Sequence, residues 1–207
     1  MAFDWIIHIV LCIGLAFLIT EIAGYFIHQL LHSNRVQWLS KYHMLHHLRD
    51  YAPGKSLRSD SYICSAKGRA AIFDLGLEWV IPIAFLIIGI EAVFIAMDVS
   101  WFTCIFFPFI CMAYGHFSFG IMHDYLHLKD HWILRNSWLR KWFLSIRRYH
   151  DLHHMIIDDD GRMKLNYGIS FFFMDKLLGT FTDQGQPFNE KGYQQAQQLY
   201  DYALSEK

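Results

Sequence analysis

The chain has 207 residues, of which 54% are hydrophobic and 17% aromatic, and its formal net charge is −1. One domain fits that length, the apolar composition is high for a soluble domain, and the balanced charge excludes a basic footprint for nucleic acid. Cys12, Cys64, Cys104 and Cys111 show no CxxC spacing, which argues against a disulfide framework or a cysteine metal site.

From the N-terminus, Trp5 to Ile27 is apolar apart from His8, Thr20 and Glu21. It is long enough to cross a bilayer, which needs about 20 residues. The first basic residue is Arg35, so the stretch lacks the positive start of a signal peptide and reads as an uncleaved span. It runs directly into His28 and His32. Residues 34–70 are polar and basic, carry His43, His46 and His47, and are broken by Pro53 and Gly54. Ala70 to Met97 reads as a second span, with Asp74 and Glu78 at its start and Glu91 near its end. After a tight turn at Asp98, Val99 to Met122 contains no Asp, Glu, Lys or Arg and forms the third span. It leads into His123 and His127.

Trp132 to Ile146 mixes tryptophans with Arg135, Arg140 and Lys141. Two readings fit it equally: a helix lying in the headgroup layer or a packed cytosolic helix. His150, His153 and His154 follow, then a solvated turn at Asp158 to Arg162 and another apolar segment, Phe171 to Leu178, near the interface. Residues 185–207 are a polar, Gln-rich tail expected to form a peripheral helix. Of the 18 Lys and Arg residues, seven lie between Arg35 and Arg69 and eleven between Lys129 and Lys207. The positive-inside rule then puts both basic regions, the C-terminus and every histidine cluster on the cytoplasmic side. The expected architecture is an all-α integral membrane bundle of three spans. A single membrane domain covers 1–207, and the histidine-rich cap is cytosolic.

Ten of the 13 histidines fall in four clusters spaced HxxxH, HxxHH, HxxxH and HxxHH. On a helix, residues three and four apart share a face, so each cluster aims two or three rings at one place. A metal ion takes about four to six ligands, and ten suit two adjacent ions. Zinc closes a site with four ligands, whereas nitrogen-rich sites with open positions suit oxygen-activating iron. Soluble di-iron bundles use glutamates with ExxH, a pattern absent here. A lone histidine is most simply a hydrogen-bonded structural residue, the role expected of His8 and His131. His116, seven before His123, is either an extra ligand or a buried hydrogen-bonded residue. Glu21, seven before His28, either accepts a ring N–H and orients that ligand or faces water near the helix end. Asp124 and Asp151 follow cluster histidines and read as surface residues.

These boxes at span ends, together with NYGISFFFMDKLLGT from Asn166 to Thr180, resemble the fatty acid hydroxylase/sterol desaturase superfamily over residues 20–182. The resemblance implies a membrane non-haem oxidoreductase with two iron ions. It would use O2 to hydroxylate or desaturate a lipid, such as a fatty acyl chain, a sterol or another long apolar molecule. It implies His28, His32, His43, His46, His47, His123, His127, His150, His153 and His154 as metal ligands. Glu21 joins Asn166 and Asp175, which gain weight from the resemblance, as supporting site residues. The chain departs from the family in having Met174 where an aromatic is usual, and three full spans rather than four. HDYLH and YHDLHH are also similar to the boxes of bacterial carotenoid hydroxylases, whose paired boxes are usually spaced HxxxxH. No flavin site, cytochrome b5 motif or GxGxxG is present, so the two electrons per turnover imply an external donor, either a ferredoxin, cytochrome b5 or a reductase. Two other classes compete. A membrane metal transporter or sensor would line a path at mid-membrane, and a haem carrier would need only two histidines per haem.

Overall fold

The computed structural model describes residues 2–33, 35–64, 71–72 and 75–205. Lys67, Arg69, Asp74 and Lys207 from the sequence reading, and the expected start of the second span at Ala70, lie outside them. Among the described residues the regular elements are helices, apart from an antiparallel pair of two-residue strands, β1 (Ala71–Ile72) and β2 (Leu75–Gly76).

Among the described residues, three helices are long and apolar enough to cross a membrane. The first, α1, runs Ala2–Leu31. The second, α3, is Leu77–Ala96 and starts later than the expected Ala70. The third is composite: α4 (Trp101–Gly115), a π-helical stretch His116–Met122, and α5 (His123–Leu126). Ser100 caps its start by accepting the Thr103 N–H. On α3, Phe85, Ile88 and Ile95 are 73%, 64% and 73% exposed, a surface suited to lipid rather than water. Inward, Cys12 and Ala16 of α1 pack on Phe107 of α4, with Ile90 and Phe94 of α3 against them.

The rest of the chain forms a cap on one end of the spans. α2 (Gln37–Leu45) continues into a second π-helical stretch, His46–Asp50. α6 (Trp132–Arg135) and α7 (Ser137–Met155) follow α5. Asn136 starts α7 by accepting the N–H groups of Trp138 and Leu139. α7 packs against the cap by one face, as the second sequence reading expects. Phe143, Ile146 and three histidines are buried on one face, while Trp138 is 91% exposed on another. Trp142 approaches Phe171, so the outward apolar residues of α7 adjoin those before α8 (Phe173–Leu178).

The tail forms a helix, as expected, but docks more deeply than its polar composition suggests. In α9 (Glu190–Leu199), α10 (Asp201–Leu204) and the residue joining them, Ala196, Ala203 and Tyr200 are completely buried. Ala196 and Tyr200 share a core with Met44, Leu48, Ile157 and Met163. The Tyr200 hydroxyl bonds Ser40 Oγ of α2 at 2.8 Å. The glutamines that make the tail look polar occupy the outer face of an amphipathic helix.

Candidate metal centre

The histidines converge where the spans meet the cap. His28 comes from the last turn of α1 and His32 directly follows that helix, His43, His46 and His47 come from α2 and its π-helical extension, His123 and His127 from the end of the third span, and the remaining three from α7. Nine fall into two buried groups. His28, His32, His43, His47 and His153 form one, and His46, His127, His150 and His154 the other. Within each, one ring nitrogen per residue lies within 4.8 Å of all the others. His123 stands beside the second group, its ring centroid 4.8 Å from His46 and 5.0 Å from His150, and its Nε2 is buried without a hydrogen-bond partner. The groups adjoin: His47 of the first stacks on His154 of the second at 3.9 Å.

A crossed pattern underlies this division. Each HxxHH box splits between the groups. His43 and His47 serve the first group, whereas His46 crosses to the second; His150 and His154 serve the second, whereas His153 crosses to the first. The i and i+4 members share a face and the i+3 member is offset toward the neighbouring group. Both π-helical stretches border this region, one containing His46 and His47 and the other ending at Met122. Wide turns of this kind recur at functional sites.

Main-chain carbonyls set the rings. His28 Nδ1 donates to Tyr167 O at 2.6 Å and His153 Nδ1 to Leu165 O at 2.7 Å. In the second group, His127 Nδ1 donates to Leu57 O and His154 Nδ1 to Tyr51 O, both at 3.1 Å. One loop therefore orients two rings of the first group and a different loop orients two of the second. With the proton on Nδ1, each Nε2 is a bare lone pair. His153 Nε2 lies 2.9 Å from His32 Nε2, and His127 and His154 Nε2 lie 3.0 and 3.2 Å from His150 Nε2. His28 Nε2 and both nitrogens of His46, all buried, have no hydrogen-bond partner. Burial first, then the neighbouring histidines, hold His32, His43, His46, His47, His150 and His154 well below the ordinary imidazole value. Burial also lowers His153, to about 4. The rings are thus neutral at neutral pH, the form that binds metal. Crowded lone pairs repel, and a cation at their meeting point removes the repulsion, so the residues fit a metal in each group.

The supporting residues differ from expectation. Glu21 does not orient His28; it accepts the Tyr114 hydroxyl at 2.5 Å and the Ser118 hydroxyl at 3.4 Å, both from the third span. Neither is it a water-facing residue, being 6% exposed. Asn166 is buried in the left-handed region at φ 56°, where asparagine is tolerated. Its side chain bonds Tyr149 O, Thr182 O and Thr182 N. Asp175 accepts the N–H groups of Tyr167 and Gly168 at 2.7 and 2.8 Å and the Thr180 hydroxyl at 2.9 Å. Both residues shape the loop whose carbonyls reach His28 and His153. Asp151 is no simple surface residue: Arg58 binds it at 2.6 Å, tying the loop that carries the Leu57 carbonyl to α7. Asp124 is partly exposed beside His123. His8 bonds Thr103 and His131 accepts from Arg147, the structural roles expected of them. His116 belongs to neither group. Met174 packs on Tyr25 and Tyr167, a gap its flexible side chain can fill. Residue-type reasoning misses the carbonyls of Tyr51, Leu57, Leu165 and Tyr167, because every residue has one. Only the NYG segment hinted at the last of them.

Three membrane-length helices and two buried histidine groups able to hold metal ions define the class of protein. The model of the family described as Fatty acid hydroxylase matches residues 13–180, and the chain belongs to that family. The family is made up of oxygen-dependent, iron-dependent oxidoreductases. No curated protein and no solved structure shows a significant match.

Proposed function

We propose that the chain is a membrane-bound di-iron oxidoreductase that uses O2 to hydroxylate or desaturate a lipid. The observation that carries this reading is the pair of adjoining groups of neutral, buried histidines with inward lone pairs. His28, His32, His43, His47 and His153 would hold one iron, and His46, His127, His150 and His154, with His123 beside them, the other. Bound there, the iron pair supplies the capacity to activate O2 and oxidise an unactivated C–H bond. The chain's own part is to orient the ligand rings through four carbonyls, to keep the rings neutral by burial, and to exclude water from a strong oxidant. Electrons would come from a separate donor, either a ferredoxin, cytochrome b5 or a reductase, meeting the cap from the cytoplasmic side. A transport path would need histidines at mid-membrane, whereas these lie at the span ends. The test is lipid profiling of cells with and without the chain, and with His153→Ala. A product one oxygen heavier or two hydrogens lighter, present only with the intact chain, is expected. Identical lipids in all three would contradict the reading.

A further inference from the structure

Between α1, α3 and the third span lies a cavity of about 180 Å³, with no Asp, Glu, Lys or Arg in its lining. It follows α3 from Ile90 to Trp79, about 16 Å by helical rise. The volume falls below the roughly 300–1,000 Å³ of pockets that take compact drug-sized ligands. A slender apolar chain suits the space better than a fused ring system. The end nearest the histidines is formed by Gly24, Ile27, Trp79 and Phe119.

That end is closed by aromatic rings. Trp79 and Phe119 lie 5.3 Å apart. Trp79 is also 6.2 Å from His28 and 6.4 Å from His43, so it stands between the cavity and the first histidine group. Gly24 lies one helical turn before His28, and Phe119 one turn before His123. Gly24 is what lets the Phe119 ring in: a Cβ there would lie 1.8 Å from it.

We propose that the cavity holds the hydrocarbon chain of the substrate and that Trp79 and Phe119, which stand between it and the first histidine group, form the barrier that selects how far a chain advances toward the histidines. The selectivity rests on the oxidoreductase reading, but chain binding does not, and photolabelling separates the two because it needs neither iron nor O2. The probe is phosphatidylcholine with a palmitoyl chain bearing a diazirine, near the ester in one preparation and at the terminal carbon in another. The full-length protein is irradiated in vesicles of this lipid and the labelled residues are found by mass spectrometry. One of the two probes is expected to label Trp79 or Phe119. Trp79→Ala is expected to carry that label on to the segments of His28 and His43. Ala84→Phe, which enlarges a side chain of the cavity wall about 7.5 Å along α3 from Trp79, is expected to reduce the label several-fold, and Gly24→Ala to alter its distribution between Trp79 and Phe119. Labelling confined to outward residues such as Phe85 and Ile95, or unchanged by Ala84→Phe, would overturn the proposal. If Trp79→Ala does not fold, the Ala84→Phe and Gly24→Ala results decide the matter.

Discussion

Asp175 is one peptide unit away from a ligand ring. Its carboxylate accepts the N–H of Gly168, and the Tyr167 carbonyl in that same peptide unit accepts the His28 ring N–H. Glu21, by contrast, joins α1 to the third span through Tyr114 and Ser118. The two acids therefore separate cleanly in a mutational test. Asp175→Asn replaces one acceptor oxygen with a donor facing N–H groups, so the loop shifts and metal affinity falls. The usual cost of losing such a support is about 10–100-fold. Glu21→Gln keeps an acceptor for Tyr114 and is expected to leave iron content near that of the unaltered chain. Iron per protein, measured at matched membrane expression, checks both. Equal retention in the two variants would show that the Tyr167 loop does not position His28.

At the scale of elements, the tail braces the helix that carries His43. Tyr200 is fully buried against Met44 and Leu48 and bonds Ser40. Removing a buried aromatic side chain costs about 3–5 kcal/mol, so Tyr200→Ala is expected to release α9 and α10. Gly161 meets the same tail. It sits at φ 75°, and a Cβ there would lie 2.7 Å from the Ala196 main-chain nitrogen. Gly161→Val is expected to free the tail as well, through a different contact. Limited proteolysis reads the outcome: cleavage after residue 188 should accelerate in both variants. A tail that stays protected in both would mean its docking does not depend on this core. The helix was legible in the sequence but its docking was not, because the glutamines of α9 advertise only its outer face.

For the whole molecule, the three spans were legible because long charge-free apolar runs have few other solutions. The convergence of the clusters was legible because i, i+3, i+4 spacing fixes a helix face. The crossing of His46 and His153 between groups was not, because it depends on how α2 and α7 sit against each other. The partners of the rings were invisible too, since main-chain carbonyls leave no mark in residue identity. The orientation proposed from the Lys and Arg distribution has its own test. A reporter fused after Lys207 should be cytoplasmic and one inserted at Asp98 outside; both on one side would contradict the three-span topology.

The central claim is two adjoining metal centres built from crossed histidine boxes, and iron stoichiometry in the purified protein tests it most directly. His46→Ala removes a ring from the second group and His153→Ala one from the first. The account predicts close to two irons per chain in the unaltered protein, the number of histidine groups, and fewer in each variant. One iron or none in the unaltered protein, or two irons in both variants, would contradict it.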